Sequence, residues 1–150
     1  QRRKSRSGRS LELHARHIFI EEGMKEGQDF SHQPESESGK KPDFIFPSAE
    51  AYKNKNYPDA DLRMLAAKTT CKDRWRQIIN EADRIPIKHL LTLQEGVSER
   101  QFQEMSEAGV KLVVPSSLVS KFPRLVQPGL QTFGNFLEEA ANIKKIGCLV

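Results

Sequence analysis

Apolar residues change their spacing along the chain, from short continuous runs to runs with helical periodicity. The continuous runs, rich in β-branched or aromatic side chains or bracketed by proline, predict strands at residues 42–47, 62–70, 89–93 and 110–115. Helical spacing predicts helices at residues 10–22, 73–84, 98–108 and 129–145, and a short helix at 116–121. Polar stretches at 31–41 and 54–61 predict loops.

Residues typical of helix ends support these boundaries. Ser10 and Ser98 precede apolar-periodic runs and are predicted N-caps, and Gln101 completes the spacing of a capping box with Ser98. Gly23 and Gly109 follow two of the predicted helices and are expected to end them.

The order of these elements predicts the fold class. Strands alternating with helices are typical of an α/β domain with a buried central sheet. A chain of 150 residues has the usual length of a single domain. Because four strands make a thin sheet, we expect the chain to begin inside a larger domain.

Composition narrows the class of protein. Hydrophobic residues make up 37% of the chain and charged residues 29%, which excludes a disordered tail. Two distant cysteines, Cys71 and Cys148, give no disulfide framework and favour a reducing compartment. No apolar run approaches the length of about 18 residues that a membrane span needs, and residues 1–10 lack the apolar centre of a signal peptide. We therefore expect a cytoplasmic protein without a membrane partner.

Basic residues are concentrated at the start of the chain. The net charge is +4, and residues 1–9 contain five cations and no acid. Such a basic arm is often only solvated, and where it has a function it usually contacts phosphates.

Asp43 and Lys68 are candidates for metal-assisted phosphodiester hydrolysis. If their strands pair, the carboxylate can bind a divalent cation such as Mg²⁺ while the ammonium orients water and offsets phosphate charge. The second carboxylate is expected two residues before the lysine, where Ala66 stands. Glu81 could replace it from the predicted helix 73–84, and Glu12 is a third candidate. Taken without further context, Glu81 is more simply interpreted as a solvated helix acid.

Other candidates have plain structural interpretations. Tyr52 could lie near the metal or cover the core, and Trp75 is predicted to be a core residue. His14 and His17 lie three positions apart on a predicted helix and have no identifiable partner ligands.

The stretch 68–77, KTTCKDRWRQ, concentrates cations at a predicted helix start, where anions are favoured. Lysine and arginine donate to guanine, and aspartate accepts from cytosine. Lys72, Asp73 and Arg74, with Arg76 beside them, therefore have the chemistry to read G·C pairs. A charged helix start in water is the alternative.

Four runs resemble the C-terminal catalytic domain of the EcoRII-type restriction endonucleases, which belong to the PD-(D/E)XK nuclease superfamily. They are residues 41–47 (KPDFIFP), 65–77 (LAAKTTCKDRWRQ), 81–82 (EA) and 88–94 (KHLLTLQ). The likeness extends from about residue 6 to 122. That domain is longer in the family, so the resemblance predicts that an N-terminal part, which helps to build the dimer, is lacking here.

The resemblance implies a restriction-endonuclease-like mixed sheet flanked by helices, a homodimer, and Mg²⁺-dependent cleavage of double-stranded DNA. It implies that Asp43 and Glu81 bind the metal, that Lys68 is catalytic and that Tyr52 lies by the active site. It also implies that residues 72–74 read outer C·G pairs of a site with CC and GG flanks. A cognate DNA methyltransferase would protect the host genome.

Three functions follow from these observations. The first is a type II site-specific deoxyribonuclease that leaves 5′-phosphates. The second is a catalytically inactive, sequence-specific DNA-binding remnant, and divalent-metal dependence would separate the two. The third, a structure-specific repair nuclease, does not account for the residues at 72–74.

Overall fold

The computed structural model of the protein describes the backbone of residues 2–72 and 74–148 and the side chains of residues 9–72 and 74–143. A single mixed sheet runs through it, in the order β1-β2-β3-β4-β5-β6. The strands are β1 (Ser31–His32), β2 (Phe44–Phe46), β3 (Arg63–Ala67), β4 (Lys88–Leu91), β5 (Val110–Val114) and β6 (Gln131–Thr132). The first three strands pair antiparallel, and β3 to β6 are parallel.

Within the described residues, four α-helices and four 3-10 helices flank this sheet. The α-helices are α1 (Arg2–Glu21), α2 (Ala49–Lys53), α3 (Glu99–Glu107) and α4 (Phe133–Cys148). The 3-10 helices are Asp59–Asp61, Arg74–Ile78, Ser116–Lys121 and Gln127–Gly129. None of the helices in the described part of the chain has the length and apolar character needed to cross a membrane.

Alternation along the strands creates a core on each face of the sheet. In β3, Met64 and Ala66 belong to one buried cluster, while Leu65 and Ala67 belong to the other. The first cluster packs against α2, α3 and the 3-10 helix Arg74–Ile78, and the second packs against α1 and α4. Successive side chains of a strand point to opposite faces, so continuous apolar runs correspond to strands buried on both sides. The predicted mixed sheet flanked by helices is confirmed.

Most of the predicted elements are found with small shifts. The strands predicted at 42–47, 62–70, 89–93 and 110–115 correspond to β2, β3, β4 and β5, and the helix at 98–108 corresponds to α3. The short helix at 116–121 is a 3-10 helix. Strands β1 and β6 and helix α2 were not predicted, because two to five residues are too few to show a periodicity. The last helix begins at Phe133 because β6 precedes it.

The prediction that Ser10 caps the first helix is wrong. Helix α1 begins at Arg2, so Ser10 lies inside it. Leu11, Ala15 and Phe19, each four residues apart, are buried against the sheet. Residues 1–9 contain no proline, so nothing in their sequence prevents the helix from extending toward the N-terminus.

The prediction of a regular helix over residues 73–84 is also wrong. Only the 3-10 helix Arg74–Ile78 forms, and Asp73 lies outside the described residues. Ala82 has a φ of 51°, in the left-handed region that a right-handed helix cannot include. Its carbonyl accepts a hydrogen bond at 2.8 Å from the buried Lys88 ammonium, which also donates to the carbonyl of Ile85. The segment still buries Trp75, Ile78 and Ala82, whereas Ile79 is half-buried.

Candidate active site

Strand direction brings Asp43 and Lys68 to one edge of the sheet. Asp43 immediately precedes β2, and Lys68 immediately follows β3. The two strands are antiparallel, with Phe44 opposite Leu65, so the start of one lies beside the end of the other. The condition on which this candidate pair depended, that the two strands pair with each other, is met.

The Asp43 carboxyl is fixed by the neighbouring strand. Its Oδ2 accepts a hydrogen bond from the Ala67 N–H at 2.8 Å. The pKa of Asp43 is raised to about 6, chiefly by burial and also by the nearby Glu12 carboxylate. The Ala67 N–H and the Lys68 ammonium oppose these effects and lower the pKa. Asp43 is therefore a desolvated carboxyl beside both a cation and a second acid.

Glu81 belongs to the same electrostatic cluster, although it lies in a turn and not on a helix. Its pKa is raised to about 7, chiefly by burial and also by the Asp43 carboxylate. The cations Lys68 and Lys88 lower it. The turn held by Lys88 thus places an acid within electrostatic range of Asp43 and Lys68 at the edge of the sheet.

Ala66 leaves the expected position of the second acid empty. It is completely buried in the sheet, between Leu65 and Ala67. A methyl group packs there without the cost of burying a charge. A carboxylate at this edge has to come from elsewhere, and Glu81 supplies one.

Glu12 reaches the cluster from α1. It is 7% exposed and its Oε2 lies 2.5 Å from His32 Nε2 and 2.8 Å from Gln33 Nε2, which donates to it. Its charge acts on Asp43, so the cluster contains three acids and Lys68. His14 and His17 are exposed, and His17 pairs with Glu21 on the same helix at 2.8 Å.

Tyr52 packs into the core, and its hydroxyl bonds to residues outside the cluster of acids. The hydroxyl donates to Glu37 Oε2 and accepts from the Arg84 N–H at 3.1 Å. Burial of the ring raises the pKa of this phenol. Its position by the active site stays a prediction.

The acids of this cluster fit a divalent cation. Among the described residues, no three His, Cys, Asp or Glu side chains are gathered closely enough to hold a metal ion by themselves. Mg²⁺ usually keeps several waters and takes one or two protein carboxylates together with substrate phosphates. The raised pKa values of Asp43 and Glu81 mark two half-buried carboxyls that a cation would stabilise in their charged form.

The cationic segment lies beside this cluster along the chain. Lys72 is exposed and Arg74 is half-buried, whereas Asp73 lies outside the described residues. Arg76 stacks over the Trp75 ring at 4.4 Å and lies 3.5 Å from Glu104. Trp75 is a core residue, as predicted, with 3% exposure. A 3-10 helix of five residues does not supply the helix N-terminus on which the electrostatic prediction for this segment rested.

Sequence reasoning missed several residues that hold this region together. Lys88 is buried at the start of β4, where its ammonium holds the turn at Ala82. A single lysine in front of an apolar run does not indicate this structural role in the sequence. In the sequence, Gln94 appeared only as the last residue of the run 88–94 that resembles the EcoRII-type family. Gln101 appeared only as part of a capping box with Ser98. Their side chains instead bond to the backbone of Cys71 and Lys72.

Comparison with known proteins assigns this chain to a family. Residues 1–137 match the protein family described as "EcoRII C terminal". The chain is also 58% identical over 142 residues to the "Type II restriction enzyme EcoRII" of Escherichia coli, a match that covers 95% of this chain. This chain belongs to the EcoRII C-terminal family. It spans about a third of that relative, with 34% of the relative's length covered.

Solved structures of restriction endonucleases share the fold of this EcoRII C-terminal chain. Metal-depleted Ecl18kI in complex with uncleaved DNA has a TM-score of 0.76 and 25% identity, over 97% of this chain and 48% of that one. The restriction endonuclease PspGI–substrate DNA complex has a TM-score of 0.72 and 18% identity, over 97% of this chain and 64% of that one.

Proposed function

We propose that this chain is the catalytic domain of a type II restriction endonuclease, a site-specific deoxyribonuclease that requires Mg²⁺ and leaves 5′-phosphates. One observation carries the proposal: Asp43, Glu81 and Lys68 act electrostatically on one another at one edge of the sheet, in a chain of the EcoRII C-terminal family. Buried carboxylates beside a lysine suit metal-assisted hydrolysis of a phosphodiester.

Asp43 and Glu81 hold the metal in this proposal, and Glu12 adds negative charge behind Asp43. When bound, Mg²⁺ would supply the positive charge that stabilises phosphate oxygens in the transition state. Lys68 holds the attacking water and offsets charge on the phosphate. The water oxygen forms a bond to phosphorus while the bond from phosphorus to the 3′ oxygen breaks, leaving a 3′-hydroxyl and a 5′-phosphate.

Base recognition is proposed for the segment next to Lys68. Lys72 and Arg74 donate to guanine and Asp73 accepts from cytosine, at the outer C·G pairs of a site with CC and GG flanks. Arg76 contacts the DNA close by. The proposed partners are double-stranded DNA, a second copy of the chain, and a cognate DNA methyltransferase that acts on the same site without physical contact.

The test is plasmid cleavage by the wild-type protein and by Asp43→Asn, in Mg²⁺ and in EDTA. The plasmids carry CC(A/T)GG or CCNGG sites, and fragment ends are mapped by sequencing. Asparagine can still accept from the Ala67 N–H but cannot bring a negative charge to the metal. We expect discrete fragments from the wild type only with Mg²⁺, and at least about a thousandfold loss of cleavage in Asp43→Asn with site-specific binding retained.

Glu50→Gln is the matched control. Glu50 is an exposed acid on α2, so this variant loses the same charge away from the cluster and should cut like the wild type. Cleavage by Asp43→Asn at the wild-type rate would contradict the metal assignment. A wild-type protein that binds the site and leaves the plasmid intact in Mg²⁺ would instead identify a DNA-binding remnant.

A further inference from the structure

The segment that joins Lys68 to Arg74 has no regular secondary structure. Residues 68–72 lie beyond the end of β3 and before the 3-10 helix Arg74–Ile78. Backbone hydrogen bonds hold it near both ends: the Lys68 N–H donates to the Leu91 carbonyl at 2.9 Å, and the Cys71 carbonyl accepts from the Trp75 N–H at 3.1 Å. Side chains of two other elements add further bonds to its backbone.

The first support is the side chain of Gln94, which follows β4. Its Oε1 accepts from the Cys71 N–H at 2.8 Å and from the Cys71 thiol at 3.3 Å, and its Nε2 donates to the Gly96 carbonyl at 2.9 Å. Thr92 extends the connection, because its hydroxyl donates to the Thr69 carbonyl at 3.1 Å and accepts from the Gln94 N–H at 3.2 Å. The loop after β4 is thus bonded to the segment at two points.

The second support comes from α3. Gln101 Nε2 donates to the Lys72 carbonyl at 3.0 Å, and the Gln101 N–H donates to the N-cap oxygen of Ser98 at 3.1 Å. In a capping box, the Gln101 side chain would bond to the backbone of Ser98. Here its carboxamide instead bonds to the backbone of Lys72, outside the helix. This bond ties Lys72 to a capped nine-residue helix.

The supported segment borders an open cavity of about 610 Å³. Lys72, Gln94 and Gln101 line it together with Lys121, and no acidic side chain is found among its described lining residues. Two cations without a lining acid favour a polyanion at this surface.

We propose that Gln94 and Gln101 are positioning residues for base recognition, holding the backbone of Cys71 and Lys72 where Lys72 and Arg74 meet the bases. The inference rests on the proposed function. Bidentate contacts to base edges depend on geometry to a fraction of an ångström, so releasing either support lowers discrimination between sites.

The experiment compares Gln101→Met with Gln103→Met in the full-length protein. Both glutamines lie on α3, but the Gln103 side chain bonds to Glu107 of its own helix at 3.2 Å. The measured quantity is the ratio of kcat/KM on CC(A/T)GG to kcat/KM on a site with the outer C·G pair replaced. We expect Gln101→Met to lower this ratio at least about tenfold, mainly through a higher KM on the correct site. Gln103→Met should leave it within about twofold of wild type.

Gln94→Met and hydrogen exchange at the Cys71 amide provide a second measurement. We expect the Cys71 amide to exchange faster in Gln94→Met than in the wild type. The ratio of kcat/KM values on the two DNA sites should be at least as low in Gln94→Met as in Gln101→Met. If Gln94→Met does not fold, the two α3 variants decide alone, because the Gln101 bond is at the surface.

An unchanged ratio in Gln101→Met, with or without a lower melting temperature, would overturn the inference and leave the proposed function standing. A wild-type protein that cuts both DNAs equally would overturn the site-specific function and this role with it.

Discussion

Two carboxyl groups that resist ionisation distinguish the candidate site from the rest of the molecule at the scale of single residues. Burial is the largest cause of the raised pKa values of Asp43 and Glu81, and each carboxylate is further destabilised by another acid. Lys68 and Lys88 compensate only in part. Groups that are poorly stabilised in the free protein and well suited to a cation are typical of functional sites.

This cluster predicts an unusual pH dependence of stability in EDTA. Both folded pKa values lie above the unfolded values, so between about pH 4 and 7 the folded state binds more protons. The free energy of unfolding should therefore fall as the pH rises through this window. The double variant Asp43→Asn/Glu81→Gln should remove that fall and gain on the order of 2 kcal/mol relative to wild type at pH 8.

Urea denaturation at pH 5 and pH 8 measures this difference. Glu50→Gln, an exposed change of the same kind, serves as control and should keep the wild-type pH dependence. Identical pH slopes for wild type and the double variant would contradict the prediction. Added Mg²⁺ should raise the wild-type melting temperature at pH 8 and leave that of the double variant unchanged.

Connections between elements decide which residues reach the site. Strand β2 runs opposite to β3, which places Asp43 beside Lys68, and the turn at Ala82 delivers Glu81. On the same face of the sheet, α3 passes to β5 through Gly109, whose φ is 85°. A Cβ at Gly109 would lie 2.9 Å from the Pro86 carbonyl oxygen, so both conformation and space require glycine there.

Gly109→Ala should therefore destabilise the protein by about 1–3 kcal/mol. Gly134 is the matched control, because a Cβ there meets no atom within 4 Å and the residue lies in α4. Gly134→Ala should be neutral or stabilising by up to about 1 kcal/mol. Equal thermal denaturation curves for the two variants would contradict this account of the α3–β5 connection.

At the scale of the whole molecule, the described residues present one cluster of acids and one segment that is proposed to read bases, whereas the proposed DNA site is nearly symmetric. A site with CC on one flank and GG on the other offers the same outer pair twice, related by a twofold axis. In the proposed function, one chain reads one half of such a site and a second copy reads the other half. The net charge of +4 favours DNA as a partner without giving specificity.

Two chains per DNA duplex are thus expected at the cognate site. Sedimentation velocity with a short duplex in Ca²⁺ should give a 2:1 complex, and a duplex with one altered half-site should bind more weakly. The complex should also weaken steeply with salt, as phosphate contacts require. A 1:1 complex that cuts both strands would contradict the dimer.

The sequence by itself determined the fold class and the order of the main elements. It also identified Asp43 and Lys68 as candidate active-site residues. Continuous apolar runs and periodic apolar faces indicate directly which residues are buried. A residue that adjoins a strand is placed at the end of that strand once the strand is predicted. The four runs that resemble the EcoRII-type endonucleases are also visible in the sequence alone.

Only the tertiary structure decided how the remaining groups meet. Glu81 was identified from the sequence, but its turn depends on a left-handed Ala82 and a buried Lys88, contacts between residues that no periodicity relates. Gln94 and Gln101 bond to backbone groups 23 and 29 residues away, a distance along the chain that only folding closes. Local patterns determine elements, whereas side-chain bonds between elements position the groups of the site.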